Sequence, residues 1–492
     1  MNAGASAAGA RGSLRLPLDP VSLGVASLSV LVGVGLGIGA SRGYDLVALV
    51  VVCAPLALVF PVSSCVWALG AVCAVVLSRV LVEFGAPGLV NHVHFGMALA
   101  AAARGVVSRE PWSPLARRLA LAAGGLLVVA FLSGVANGTG LLEPGLSWLL
   151  LMEPFLVAFG VVRDPPAPPT RRRIGHLLVG LLVLQLPFAI WKFRQFGVSD
   201  AVRGTFLDQG AGAHVMGAMA LVSAAGAVLT GHVRGRAWAA VVIALALLLS
   251  VLADAKQALG MFGVAVAAAG VLDSPRRWPR YAAGLAAAVG IISFAQSYNP
   301  TLQQFTDREL LEKGLRAKFS VIPLIASHFE TPVDWLLGAG PGRTVSRVAL
   351  MALPEYRSEG TSGVPFDLPA STISRQIWYA NEIGELSGAG GSSAWSLISS
   401  WVGIWGDLGL FGLALYALAG LGLWRAARPL GSGPAHAVRI TLLFAAGLGV
   451  VFSYLEEPGM MLVAAAWIGL ACTGPRRREP GEVGRDARPA GA

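Results

Sequence analysis

Apolar stretches long enough to cross a membrane recur along almost the whole of this sequence. A helix needs about 20 predominantly apolar residues to span the hydrocarbon core of a bilayer. The sequence therefore predicts an all-α polytopic membrane protein with about 14 spans. The range is 12–14, since polar residues dilute the stretch 89–103 and only Pro61 separates two others. The predicted spans are 21–40, 46–60, 62–82, 89–103, 119–136, 144–162, 174–190, 211–230, 237–253, 255–272, 281–296, 396–423, 439–453 and 459–473.

Composition excludes the other broad classes of protein. Hydrophobic residues make up 55% of the 492 and charged residues only 13%, whereas soluble domains carry about 25% charged residues. The same apolar content excludes a disordered chain. The net charge of +10 does not indicate a nucleic-acid partner, because only 4 of the 37 basic residues are lysines. An arginine bias of this kind, with so much Ala and Gly, is typical of a GC-rich genome.

The distribution of charge predicts the topology. With the N-terminus in the cytoplasm and strict alternation, the cytoplasmic segments hold 23 of the 37 basic residues but only 7 of the 27 acidic ones. Excess Lys and Arg on the cytoplasmic side is the usual pattern of multi-pass proteins. We therefore expect both termini in the cytoplasm and a large outer loop, containing helices, that is periplasmic or extracellular.

Five regions follow from this topology. We expect a cytoplasmic tail at 1–20, an N-terminal bundle of about 11 spans at 21–296, and the large outer loop at 297–395. Three C-terminal spans follow at 396–473, and then a disordered cytoplasmic tail at 474–492. In the loop, Thr306 and Glu309 form a T-x-x-E capping box before a helix-spaced apolar pattern. The loop then passes through the turn G-A-G-P-G at 338–342.

Several cations on the predicted outer side run against the topological bias. Arg203 lies in an outer segment with two further cations, and Lys256 begins a span directly after Asp254. Ionisable groups at membrane depth are costly and are functional hypotheses by default. Lys256 is alternatively a snorkelling anchor neutralised by Asp254. Arg316 lies on the predicted loop helix, where a solvated helix face is the alternative to an anion site.

The glycine turn is followed directly by Arg343 and Arg347. Glycines let backbone N–H groups approach a phosphate, and the two arginines would add charge. Arginine matches the oxygens of a pyrophosphate in a bidentate way. The outer cations therefore suggest a polyanionic head group at the membrane surface, such as a lipid-linked pyrophosphate.

With these pieces in order, the sequence resembles the superfamily of O-antigen ligases and oligosaccharide repeat-unit polymerases, which are bacterial integral-membrane glycosyltransferases of the C-type architecture. The resemblance covers roughly 174–473, and its motifs are individually degenerate. They are R-G-T-F…H-V-M-G-A at 203–218, D-A-K-Q-A-L at 254–259, G-L-R-A-K-F at 314–319, P-V-D-W-L-L-G-A-G-P-G at 332–342 and W-G-D-L-G-L-F-G-L at 405–413.

The resemblance implies transfer of a glycan from an undecaprenyl-pyrophosphate-linked oligosaccharide to an acceptor glycan at the outer face of the bacterial inner membrane. It implies no metal, nucleotide sugar or other cofactor, and partners that include membrane lipid and other polysaccharide-assembly proteins. The resemblance matches Arg203, Lys256 and Arg316 to the basic sites of the family, while Arg343 only adjoins the matched glycine turn. The candidates for the base that activates the acceptor are His214, His328 and Asp208. His214 is alternatively a hydrogen-bonded core histidine.

One departure bears on the type of transfer. Ligases of this superfamily carry a His-Asn pair after the large loop, but here that stretch reads G-G-S-S-A-W-S-L-I-S-S-W at 390–401. A polymerase-like enzyme is therefore favoured. The alternatives are ligase-type transfer to lipid or protein, and a lipid-linked-sugar transporter that makes no bond.

Overall fold

The structure is a computed structural model, and its regular elements are all helices in the part of the chain that it describes. The described residues are 54–59, 61–86, 88–207, 212–273, 276, 278–279, 308–354, 368–386 and 396–474. Both tails and three of the predicted spans lie outside these residues. The three spans are 21–40, 281–296 and most of 46–60. The predicted total of 12–14 spans therefore stays a prediction.

Eleven long helices form the bundle. They are α1 Ser64–Glu83, α2 Val93–Val107, α3 Pro114–Ala136, α4 Leu142–Arg163, α5 Pro168–Phe196, α6 Gly212–Leu229, α7 Arg236–Leu252, α8 Lys256–Asp273, α14 Ser400–Ala426, α15 Ser432–Val451 and α16 Pro458–Cys472. Between α8 and α14 the described residues form five shorter helices, α9 Arg308–Phe319, α10 Val321–Ala326, α11 Pro332–Leu337, α12 Arg347–Ala352 and α13 Thr372–Leu386. Single 3-10 turns occupy Ala54–Leu58, Gly88–His92, Gly204–Phe206 and Tyr454–Glu456.

Each of the eleven bundle helices coincides with one predicted span. Eight of them are long and apolar enough to cross a membrane, namely α1, α3, α4, α5, α6, α8, α14 and α15. Two further apolar helices, α7 and α16, are shorter, at 17 and 15 residues. Within the described residues the chain is thus compatible with a multi-pass membrane protein.

Contacts at one end of the bundle show that successive helices alternate in direction. Asp164, after α4, accepts from the Ser64 backbone N–H at the start of α1 at 2.9 Å and pairs with Arg104 of α2 at 3.4 Å. Arg171 at the start of α5 donates to the carbonyl of Thr473 after α16 at 2.9 Å. This arginine-rich end also carries arginines at the helix ends and in the connections between them: Arg109, Arg117, Arg118, Arg163, Arg172, Arg173, Arg234, Arg236, Arg425, Arg428 and Arg439.

The centre of the bundle is formed by α4, α6 and α16, whose side chains are mostly buried. Small residues allow the close packing that membrane helices rely on. A Cβ at Gly160 of α4 would lie 2.4 Å from the carbonyl oxygen of Ala101 in α2, so only glycine fits there. In contrast, only a minority of the residues of α5 and α8 are buried, as expected of helices that face lipid.

We call the part of the chain between α8 and α14 the inter-bundle segment. Helix α14 is kinked where α11 of this segment packs against it. Gly409 has a φ of 63°, inside a helix that otherwise runs continuously. A Cβ on this residue would lie 2.3 Å from the backbone carbonyl of Leu336, so α11 packs directly into the kink. The kink therefore fixes the glycine turn that follows α11 against the bundle, at the end opposite the arginine-rich one.

The predicted loop helix is confirmed as α9, although Thr306 of its capping box lies outside the described residues. The capping box that the structure does show is at α11. There the Thr331 side chain accepts from the Asp334 backbone N–H while the Asp334 carboxylate accepts from the Thr331 backbone N–H at 2.8 Å. The polar stretch after Pro354 contains a further helix, α13, which the sequence analysis did not predict.

Candidate functional site

The glycine turn closes around the carboxylate of Asp407, a fully buried residue of α14. The Asp407 oxygens accept from the backbone N–H groups of Gly342 at 2.6 Å, Arg343 at 3.2 Å and Thr344 at 2.8 Å. The hydroxyls of Thr344 and Ser346 also donate to it, the first at 2.6 Å. An ionised carboxylate is an acceptor only, and five donors satisfy this one. We call this arrangement the Asp407 clasp.

The clasp changes the interpretation of the glycine turn. The N–H groups that the sequence analysis expected to face a phosphate are directed at an internal carboxylate. Two of the motifs that carry the family resemblance, at 332–342 and 405–413, are thereby joined to each other. The turn is an anion-binding nest whose anion belongs to the chain.

A group of charged side chains gathers around His214, at the start of α6. Arg203 and His214 both contact Asp200, and Lys256 directly follows Ala255, whose side chain lies against Gly217 of α6. Arg203 also packs against the start of α6, since a Cβ at Gly212 would lie 3.1 Å from the Arg203 Cβ. We call Arg203, His214 and Lys256 the cationic cluster, and the structure brings these three predicted site residues together.

Each cation of the cluster is oriented by a neighbouring aspartate. The Arg203 Nε donates to the backbone carbonyl of Asp200 at 2.8 Å, and Lys256 Nζ lies 2.8 Å from the Asp254 carboxylate. The backbone at Asp254 has a φ of 50°, which is uncommon for a residue other than glycine and marks a tight turn. Lys256 is therefore held at the mouth of the α7–α8 turn.

The imidazole of His214 is almost buried. Its Nε2 lies 3.7 Å from Asp200 Oδ1, and its side chain is only 12% exposed. The buried Nδ1 has no hydrogen-bond partner among the residues described. Geometry of this kind, with a base near a carboxylate but not tightly bonded to it, is compatible with proton transfer once a substrate is bound.

Arg347 lies in a separate ion-pair network next to the cluster. Its backbone N–H donates to Glu456 and its guanidinium pairs with Glu457, just before α16. Burial raises the pKa of Glu456 to about 8, an effect that the Arg347 N–H partly opposes. Burial also raises the pKa of the neighbouring Tyr454 hydroxyl, and the negative charges of Glu457 and Asp200 add to this effect. Tyr454 thus links this network to the cationic cluster.

Two other predicted residues, Arg343 and His328, line a cavity of about 430 Å³ beneath the inter-bundle segment. The guanidinium of Arg343 reaches the Gly138 carbonyl at 3.4 Å. His328 is exposed, and its Nε2 lies 3.0 Å from the Gln376 side-chain oxygen. The cavity also contains Glu143, from the first turn of α4.

Arg316 lies on the exposed side of α9, and no contact places it with the cationic cluster. The opposite face of the same helix carries Lys318, which is buried. Its Nζ donates to the carbonyls of Ser396 at 2.7 Å, Ile398 at 3.2 Å and Val451 at 2.8 Å. Burial lowers the pKa of Lys318 to about 7. Asp208, the remaining predicted base, lies outside the described residues.

The chain matches no known protein family and no curated protein. The family resemblance therefore depends on the sequence motifs alone. Among the described residues, no group of three or more His, Cys, Asp and Glu side chains is arranged to hold a metal ion.

Sequence reasoning missed a buried polar pair inside the bundle. His94 Nδ1 of α2 lies 2.5 Å from Glu153 Oε1 of α4, and the two side chains are 5% and 1% exposed. The other oxygen, Glu153 Oε2, is buried with no hydrogen-bond partner among the residues described. A signal was present, because the polar run N-H-V-H at 91–94 interrupts the predicted span 89–103.

Proposed function

We propose that this chain is a membrane glycosyltransferase of the O-antigen polymerase and ligase type. It would transfer a glycan from an undecaprenyl-pyrophosphate-linked donor to a growing surface polysaccharide at the outer face of the inner membrane. The observation that carries the proposal is that Arg203 and His214 both contact Asp200 at the start of α6, with Lys256 at the adjoining α7–α8 turn.

The position of the cluster supports an outer site. It lies at the end of the bundle opposite the arginine-rich end, and excess arginine marks the cytoplasmic side of multi-pass proteins. Two cations beside a helix N-terminus suit a pyrophosphate, because the helix dipole and the side chains favour negative charge together. A lipid-linked donor would bring its pyrophosphate to this depth.

In the proposed reaction the acceptor hydroxyl attacks the anomeric carbon of the donor sugar. The new glycosidic C–O bond forms as the bond from that carbon to the pyrophosphate oxygen breaks, and the electron pair leaves with the lipid diphosphate. Arg203 and Lys256 would stabilise the charge of that leaving group. His214 would accept the hydroxyl proton, and Asp200 at 3.7 Å would stabilise the resulting imidazolium.

The test uses purified full-length protein and a lipid-linked repeat unit, with product length resolved on a gel. Wild-type protein should lengthen the glycan and release the lipid diphosphate. Arg203→Ala and Lys256→Ala should each lower the rate by about 100-fold, as when one stabilising group is removed from a developing anion. Arg234→Ala, an exposed arginine at the opposite end, is the matched control. Unchanged product length with both variants would refute the proposal.

A second candidate, a lipid-linked-sugar transporter, is favoured by the buried His94–Glu153 pair. Ionisable pairs inside a bundle are typical of proton relays in pumps and transporters. Reconstituted vesicles separate the two activities. Translocation of lipid-linked sugar without new bonds, abolished in Glu153→Gln, would establish transport, whereas chain lengthening by Glu153→Gln at the wild-type rate would leave the pair a structural one.

A further inference from the structure

A second site lies apart from the cationic cluster, in the cavity beneath the inter-bundle segment. Its volume of about 430 Å³ falls within the range of small-molecule sites, roughly 300–1,000 Å³. Four parts of the chain line it: the turn between α3 and α4, the stretch from His328 to Asp334, the glycine turn, and the residues that lead into α13. The Asp407 clasp holds the glycine turn rigidly, so the cavity is a preformed feature of the fold.

Glu143 is the side chain of this cavity whose hydrogen bonding the fold leaves unexplained. The residue is only 8% exposed, and its carboxylate lines the cavity. Within the described ranges it makes no hydrogen bond or ion pair. Its carboxylate therefore takes its hydrogen bonds from whatever fills the cavity, and its place in the first turn of α4 adds the favourable field of the helix dipole. A ligand that donates hydrogen bonds would supply what is missing.

The other polar groups restrict the chemistry of that ligand. Asp334, one of whose oxygens caps α11, adds a second carboxylate, while Arg343 supplies donors and the Thr372 hydroxyl both donates and accepts. The two carboxylates outnumber the single arginine of this lining, whereas in the cationic cluster two cations balance two aspartates, so a pyrophosphate is disfavoured here. A molecule with several neighbouring hydroxyls fits, since each hydroxyl both donates to a carboxylate and accepts from a guanidinium.

We propose that this cavity is a binding site for a neutral saccharide, the acceptor glycan of the transfer reaction. The assignment to the acceptor rests on the proposed function, whereas saccharide binding itself does not. Donor and acceptor would then occupy two chemically different sites, with pyrophosphate at the cations and hydroxyls at Glu143. His328, on the cavity wall, would contact the bound sugar.

The test measures binding of a panel of neutral methyl glycosides, hexoses and N-acetylhexosamines, to the full chain in lipid nanodiscs. Saturation-transfer NMR reports the sugar, and a separate titration reports inorganic pyrophosphate. We expect at least one glycoside to bind, and Glu143→Gln to weaken it about tenfold or more, as for loss of a hydrogen bond to a charged group. Glu330→Gln, an exposed carboxylate of the same segment, should bind the glycoside as wild type does.

The two proposals fail in different ways. Arg203→Ala should lose pyrophosphate and keep the glycoside, and Glu143→Gln should do the reverse. Should Glu143→Gln fold poorly, Thr372→Trp is the second variant, because this exposed wall residue can fill the cavity with little strain on the core. The saccharide site would be overturned if the wild-type protein bound no glycoside, or if both cavity variants bound the glycoside as tightly as wild type does. Either outcome would leave the pyrophosphate result standing.

Discussion

Two buried carboxylates near the same glycine turn have opposite surroundings. Asp407 accepts five hydrogen bonds from the turn and the residues after it. Glu143, on the wall of the adjoining cavity, accepts none from the described residues. The first carboxylate is completed by the fold, whereas the second is left for something outside the chain.

The number of hydrogen-bond donors around each carboxylate distinguishes structural from functional polar groups without a comparison with homologous proteins. Burial alone does not, because both residues are almost fully buried. What separates them is the number of donors, since a satisfied network makes a fold specific while an unsatisfied group has to be explained. The same carboxylate-to-amide change at each position therefore tests the distinction directly.

The largest effect is expected for Asp407→Asn. The amide keeps the shape but removes the charge, and it turns an NH₂ group toward N–H donors that then have no acceptor. We expect the free energy of unfolding to fall by about 3 kcal/mol or more, as when one partner of a buried charged network is lost. Thermal unfolding in detergent measures the change.

Glu330→Gln, which alters an exposed carboxylate, serves as the control for Asp407→Asn and should change stability by less than about 0.5 kcal/mol. If Asp407→Asn unfolds at the wild-type temperature, the clasp does not stabilise the fold.

A smaller loss is expected for Lys318→Met, which removes a buried amino group from three carbonyl acceptors. Methionine fills the space but leaves the carbonyls unpaired, so we expect a loss of about 2 kcal/mol. Lys313→Met, on the exposed side of the same helix, is the matched control.

The Lys318 prediction has a pH signature. Because burial lowers the folded pKa of Lys318 from 10.5 to about 7, the unfolded chain binds the proton more readily between these values. The stability contributed by this residue is therefore complete above about pH 10.5 and declines as the pH falls through 7. Unfolding measured from pH 6 to 10 should show the gap between wild type and Lys318→Met widening with pH, and a constant gap would contradict the assignment.

The bundle was predictable because apolar length is a local property of the sequence. All eleven described long helices lie on predicted spans, and the loop helix was found from its apolar spacing. The cationic cluster was approachable in the same way, since Arg203 and Lys256 are conspicuous on the side that is predicted to disfavour cations.

The partners of those residues were not predictable. Asp407 is 65 residues from Gly342 in sequence, and Lys318 reaches carbonyls 78 to 133 residues away. Such pairings depend on how α14 kinks at Gly409 and where α9 packs, which no local pattern encodes. For this reason the glycine turn was interpreted as a phosphate site, and Arg316 was preferred to Lys318 on the same helix.

The smallest effect on stability is expected for Glu143→Gln. The direction of this change in stability is what distinguishes Glu143 from Asp407. Removing a charge that no described donor satisfies relieves a burial cost, while the helix dipole loses an anion worth about 0.3–1 kcal/mol. We expect the unfolding temperature to stay the same or rise, in contrast to the fall for Asp407→Asn. A drop comparable to that of Asp407→Asn would mean that Glu143 is a structural carboxylate whose donors the fold supplies, and the cavity would lose the residue that most requires a ligand.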